Sequence, residues 1–390
     1  MLNSESPVVL NEIALSIGTG CFLGLAIFEK QSLSKYLSVM DSLISQPLSS
    51  ESADTDRDPL ASSWGSSQLT LKLGRVLLGL AATTWLLMGL GSATRVMNAG
   101  LSCPDWPLCY GEIVPSQQMN LQVFLEWFHR MVAAGVGVAT LTLMGFAWLK
   151  HRSLPTWLPW GLSFAFGLIL VQGILGGLTV TELLRFDIVT AHLGTGLLFF
   201  ATLLTLGLLA LPSFGSLSPA DPTAEEPRER GSVGYLPWLG LGAVLLVYGQ
   251  SILGALVASQ WALHQCFASG DLCGVMNSHL LGVAPATIAV LVVAVGTGLM
   301  RKRIPKILKV FGHSTTTILL AQVGIGILTY RFRLQVEPLT VAHQMFGAAL
   351  LGCLVGFTVL AWRMQHSADE ERLSPVSRKR VAVTAEITSE

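Results

Sequence analysis

Four histidines stand where they could hold a metal. His129, His192, His279 and His343 each fall within the first two turns or so of an apolar run, and they form two pairs, spaced 63 and 64 residues apart. Neutral imidazole is an axial ligand of haem iron, and helix bundles build cofactor sites from side chains on facing helices. A single histidine in hydrocarbon could equally serve packing or relay a proton. Polar groups there are costly without a partner, however, so four at one depth in a duplicated pattern point to metal or haem ligation. His151 and His366, at the opposite ends of their runs, have no such partners in the pattern.

The two pairs differ in their surroundings. Glu126 precedes His129 by three residues, one helical turn on the same face, whereas Met276 holds the matching place before His279. Two readings of Glu126 stand: an acid beside a reacting centre, or a carboxylate paired with Arg130 near a helix start. Cys103 and Cys109 enclose Pro104-Asp105-Trp106-Pro107-Leu108, and a second pair, Cys266 and Cys273, recurs at offsets of 163 and 164. Each could close a structural disulfide or offer reactive thiols; the spacing around His264 and Asp271 is not that of a zinc loop. Arg95, at the end of its run, could pair with a carboxylate ligand or snorkel to the interface. Glycine-rich stretches such as Gly173 to Gly177 suit close helix contact.

Elements that could position these residues follow from composition. Half of the chain is hydrophobic (51%), 12% is charged, and the mean hydropathy is +0.59, a balance that no soluble core can bury. Apolar runs long enough to cross a bilayer fall near 74–96, 122–149, 156–180, 187–211, 235–258, 277–300, 309–330 and 338–362. The expected fold is therefore an all-α polytopic membrane protein with eight transmembrane helices. Sixteen lysines and arginines lie on one side of these helices and three, Arg185, Arg331 and Arg333, on the other. By the positive-inside rule the start of the first core helix and the C-terminus are cytoplasmic, and the 97–121 and 259–276 loops are external, where disulfides can form.

The second half restates the first. Gln172, Gly176, Leu178 and Thr179 return 150 residues later as Gln322, Gly326, Leu328 and Thr329, and Ala191-His192 returns as Ala342-His343. Units that each cross the membrane an even number of times share one orientation, so the repeat is parallel, two four-helix bundles related by an axis along the membrane normal. The expected organisation is an N-terminal extension and linker over 1–70, with an added apolar helix at 8–28 as one option, a first unit over 71–212, a linker over 213–234, a second unit over 235–365 and a tail over 366–390. No feature suggests nucleic-acid binding.

The segments Gly91-Ser92-Ala93-Thr94-Arg95, Gly100-Leu101-Ser102-Cys103-Pro104-Asp105-Trp106-Pro107-Leu108-Cys109-Tyr110-Gly111 and Glu126-Trp127-Phe128-His129-Arg130 together resemble haem A synthase, over roughly residues 70–365 and with a cyanobacterial flavour. The resemblance implies oxidation of the C8 methyl of haem O to a formyl group, giving haem A for cytochrome c oxidase. It implies a substrate site in the first unit, His129 and His192 with Arg95 and Glu126 alongside, and haem b held in the second by His279 and His343. Haem O synthase, oxidase assembly factors, an electron donor and a homo-oligomer are implied partners, and a bacterial plasma membrane is the implied location. In the family the external pair matching Cys103 and Cys109 is linked to redox chemistry or haem transfer. The long N-terminal extension departs from many members. A di-haem electron-transfer cytochrome is the alternative from another class, and a transporter a third, supported only by the repeat.

Overall fold

A chain in lipid must satisfy its backbone hydrogen bonds internally, so each apolar run becomes a helix. The computed structural model describes residues 59–211, 234–258, 273–301 and 304–373. Its helices are α1 (Pro59–Val96), α2 (Leu121–Leu149), α3 (Trp157–Thr181), α4 (Phe186–Ala210), α5 (Leu236–Ala258), α6 (Cys273–Leu299), α7 (Lys306–Arg331) and α8 (Glu337–Leu373). All eight are long and apolar enough to span a membrane. The outer helices exceed the runs read from hydropathy: α1 begins before 74 and α8 continues past 362. Hydropathy marks only the hydrocarbon-crossing part, whereas a helix continues into water wherever its residues favour it, as in the Glu370-Glu371-Arg372 end of α8. The candidate helix at 8–28 lies outside the described residues.

The helices close into two rings. α1 packs on α2 and α4, and α3 bridges α2 and α4; α5 packs on α6 and α8, and α7 bridges α6 and α8. Contacts of α8 with α1 and α4, and of α4 with α5, join the rings. α4 and α8 are accordingly the most buried helices. The α3–α4 and α7–α8 turns share one conformation at an offset of 150. Leu183 and Leu184 have φ of 52° and 58°, and Arg333 and Leu334 repeat these values. The same bonds close both turns, Leu184 N–H to Thr179 O at 2.8 Å and Leu334 N–H to Thr329 O at 2.9 Å. Two successive left-handed residues without glycine are uncommon, so their recurrence reflects a shared requirement to bring each helix pair back at the same angle.

Polar ties at the joint are few and specific. The Trp85 indole donates to Met345 O (3.0 Å), the Tyr248 hydroxyl to Gly194 O (3.2 Å), and Arg363 on α8 donates to Leu208 O and Leu211 O (both 2.7 Å). The Arg363 bonds cap the end of α4, adding to the Leu211 N–H bond on Leu208 O and taking up the carbonyl of Leu211. Within the first ring, α1 and α4 meet backbone to backbone: a Cβ on Gly74 would lie 2.8 Å from the Ala210 Cβ and 3.1 Å from Gly207 O. Neither neighbour is a flexible side-chain end. Gly74→Leu should therefore destabilise the first ring by about 1–3 kcal/mol. Thermal melting in mild detergent checks this, with Gly79→Leu, where a Cβ would meet open space, remaining near wild type.

Candidate functional site

Each of the four histidines is seated on a glycine of the preceding helix. A Cβ on Gly91 (α1) would lie 2.8 Å from Cε1 of His129 (α2), and one on Gly176 (α3) 3.5 Å from that of His192 (α4). In the second ring, Gly254 (α5) faces His279 (α6) at 3.0 Å and Gly326 (α7) faces His343 (α8) at 2.8 Å. All four glycines lie near the ends of odd-numbered helices and all four histidines near the starts of even-numbered ones. The sites therefore share one end of the bundle, the end that carries the α1–α2 loop. Sequence reading singled out the histidines and Gly176 with Gly326; it missed Gly91 and Gly254 as seats.

The second ring brings His279 and His343 face to edge, their ring centres 6.4 Å apart and their planes at 85°. A metal-bound imidazole nitrogen sits about 2 Å from the metal, and the ring centre lies about 1 Å behind it, so two rings across one metal have centres roughly 6 Å apart. The observed spacing fits that arrangement. In the first ring, His129 and His192 line one cavity of about 1010 Å³, at the upper end of ligand pockets. Nδ1 of His129, His192 and His343 is buried without a hydrogen-bond partner among the described residues. The second pair therefore fits a haem by its spacing, and the first by the size of the cavity that both its histidines line.

Arg95 also lines the cavity, and its guanidinium has no hydrogen-bond or ion-pair partner among the described residues. Two other cations at the cavity are already engaged. Arg185 forms a two-point pair with Asp187 (2.8 and 2.9 Å), and Arg130 donates to Asp105 O and Leu108 O (both 2.6 Å) and pairs with Glu126. Glu126 is 4% exposed, and its second oxygen accepts from Cys103 N–H at 2.9 Å. The helix-start pairing with Arg130 is thus present, and its effect is mechanical, since the two side chains clamp the α1–α2 loop onto α2. Glu126 is also the sole carboxylate on the cavity wall among the described residues.

The loop itself is a folded ring. Cys103 and Cys109 are bonded, with Cα atoms 4.7 Å apart, and both are buried. Cys109 and Glu112 exchange backbone bonds at 3.1 Å, and Asp105 accepts from Tyr110 N–H (2.6 Å) and Gly111 N–H (2.8 Å). Tyr110 and Gly111 have φ of 55° and 73°, so the second position suits glycine. This fold lays Trp106 flat on Gly177 of α3, where a Cβ would meet the indole at 3.2 Å, and makes Trp106 and Pro107 part of the cavity wall. Sequence reading did not anticipate that placement. Cys266 lies outside the described residues, and the Cys273 side chain is likewise outside them.

An all-helical membrane protein with eight helices long enough to span a bilayer, one histidine pair at the spacing of axial ligands and a second lining a single large cavity defines the class. The family model described as cytochrome oxidase assembly protein (COX15-CtaA) matches residues 74–355. Similar relatives are the haem A synthases of Shewanella oneidensis (35% identity over 47% of this chain and 56% of that protein), Rhizorhabdus wittichii (28%, over 73% and 92%) and Geobacillus kaustophilus (27%, over 78% and 92%). The chain belongs to the cytochrome oxidase assembly protein family.

The Asp105 carboxyl is held below its ordinary value of 3.8 by the Gly111 N–H first, then by Tyr110 N–H and the Arg130 charge. A depressed carboxyl contributes stability that is complete above the unfolded value and fades as pH falls through the folded one. Trp106 fluorescence in the purified protein should therefore hold steady from pH 7 to about 4 and change only below that, while Asp105→Asn should lose the acid transition.

Proposed function

We propose that the protein is a haem A synthase, oxidising the C8 methyl of haem O to a formyl group to supply haem A to cytochrome c oxidase. The observation that carries this is the set of four glycine-seated histidines, two of them already at the spacing of axial ligands, in a chain of this family. The two rings of helices are read as two parallel units, 71–212 and 235–365. The first receives haem O between His129 and His192; the second holds haem b between His279 and His343. A bis-histidine haem is coordinatively saturated and suits electron transfer when bound.

The chain's own residues divide the remaining work. Arg95, the cation at the cavity with no protein partner among the described residues, would pair with a propionate and fix which edge of the substrate enters. Trp106 and Pro107, held down by the disulfide ring and the Arg130 clamp, close one side against water. Glu126 lies one turn from His129 and is the residue assigned to hold or pass the protons that leave the methyl carbon. The conversion replaces two methyl hydrogens by one oxygen, a four-electron oxidation through two hydroxylations and loss of water from the geminal diol; each hydroxylation takes its oxygen from dioxygen with two electrons from a donor outside the chain, or from water with two electrons passed to an outside acceptor. The charge asymmetry of the loops supports an external position for this end of the bundle, and a bacterial plasma membrane is the simplest location.

Expression in a host that makes haem O but no haem A should yield extractable haem A. Protein present in membranes with neither haem A nor a hydroxylated intermediate would overturn the assignment. His279→Ala and His343→Ala should each remove the low-spin haem, whereas Glu126→Gln should keep it and lower haem A at least tenfold, in the range of a positioned acid or base. A di-haem electron-transfer cytochrome would be indifferent to the Glu126 change.

A further inference from the structure

The first cavity is longer than a porphyrin gripped by its histidines needs. From His129 to Leu141, both on the wall, α2 advances about 18 Å at 1.5 Å per residue. Phe166 of α3, also on the wall, lies a similar way from the Gly176 seat, again away from the α1–α2 loop. The character of the wall changes along that length. Its charged residues, Arg95, Glu126, Arg130 and Arg185, all stand at the histidine level or toward the loop. The far part is lined by Val138, Leu141, Phe166 and Leu170, and the hydroxyl of Thr84 is taken up by Leu80 O at 2.8 Å. A ligand matched to this space carries carboxylates at one pole and a long apolar chain at the other.

The far part also opens sideways, along the seam between α2 and α3. Ala134, Val138, Leu141, Leu170 and Gly173 line the cavity and are exposed. At the end remote from the loop the seam is pinned, because the Trp148 indole donates to the Ser163 hydroxyl (2.9 Å) and packs edge-on against Trp160, ring centres 5.1 Å apart. Nearer the histidines it is bare. A Cβ on Gly173 would meet nothing, and one on Gly137 only Cγ1 of Ile169 at 4.0 Å. The repeat shows that the fold does not require this gap. At an offset of 150, Ala133 is replaced by Val283, Gly137 by Thr287 and Gly173 by Val323, and Val323 packs against the hydrophobic core. The second unit thus carries branched side chains where the first has open space.

We infer that the α2–α3 seam of the first unit is the subsite for the isoprenoid chain of the substrate. Ala133, Gly137 and Gly173 admit a porphyrin bearing such a chain to the first site, and Val283, Thr287 and Val323 keep it from the second. The inference rests on the haem assignment above and names the part of the substrate that the cavity reads. Haem O carries its isoprenoid chain on the side of the macrocycle opposite the propionates, and haem b has no such chain. Propionates at Arg95 therefore direct the chain along α2 and α3, away from the loop. One flank of the chain would face lipid, whose tails are as apolar as itself, so the seam does not have to enclose it. Selection then rests on shape, since branched side chains at 137 and 173 would claim the volume that the chain occupies.

The test uses the full-length protein, purified in detergent from a host that makes haem b alone, and titrates it with ferric haem O and with ferric haem b. First-site binding is the absorbance change that His192→Ala abolishes. The combined Gly137→Thr and Gly173→Val variant, which copies the second unit, should weaken haem O binding by roughly tenfold or more and leave haem b binding within about twofold of wild type. An unchanged low-spin spectrum from the second site reports that the variant is folded. Gly135→Thr with Gly167→Val makes the same substitutions on the same helices, where a Cβ also meets open space but off the cavity wall; it should bind both haems as wild type does. The inference is overturned if the Gly137 and Gly173 variant binds haem O as tightly as wild type, if it loses haem O and haem b equally, or if the control variant loses haem O as well. Wild-type protein in which neither haem gives a His192-dependent signal would overturn the haem assignment itself.

Discussion

A ring of imidazole lying on bare backbone is the contact from which the architecture follows. At Gly91, Gly254 and Gly326 a single added carbon would press into the ring, so the distance between each odd helix and its successor is set by the thickness of the histidine. The same contact fixes depth. A glycine near the end of one helix and a histidine near the start of the next meet at one level, four times, and Nδ1 of three of these histidines is buried without a hydrogen-bond partner among the described residues. Burying such groups with no protein partner is unfavourable by itself.

The second constraint is the clamp at the mouth of the first site. Arg130 gathers the carbonyls of Asp105 and Leu108, Glu126 balances its charge and takes the Cys103 N–H, and the disulfide closes the ring so gathered. Glu126 thus belongs both to the cavity wall and to the device that holds Trp106 against Gly177. A carboxylate held at both oxygens in this way keeps its place on a rigid wall. Replacement by glutamine keeps the size but sets an amide N–H against one of the two donors, Arg130 or the Cys103 N–H.

Much of this was legible in the sequence. Run length and hydropathy placed the eight helices within a few residues along their apolar parts, because lipid admits no other backbone solution. Histidine spacing marked the four seats, and the offset of 150 relating α3 to α7 also relates their following turns. What escaped notice was where the halves differ. Identities such as Gln172 with Gln322 reveal the repeat, whereas Gly137 against Thr287 and Gly173 against Val323 carry no signal until the cavity is seen to open between the two glycines. Folded loops escaped for another reason: nothing local says that Trp106 will rest on Gly177, seventy-one residues away in the chain, until the Arg130 clamp is known.

One segment of α8 ties the two sites together. His343 turns to His279, Gln344 reaches the wall of the first cavity, and Met345 packs on Gly89 while its carbonyl takes the Trp85 indole. Successive residues of a helix point about 100° apart, so three neighbours can face three surfaces, and here those are the second site, the first site and the helix between. The most buried helix of the bundle is therefore also the shared wall of both centres. Phe200 and Phe311 seat on Gly352 and Gly356 of α8, and a helix so packed has little room to tilt, so a displacement of α8 sufficient to loosen one site would be transmitted to the other through a single turn.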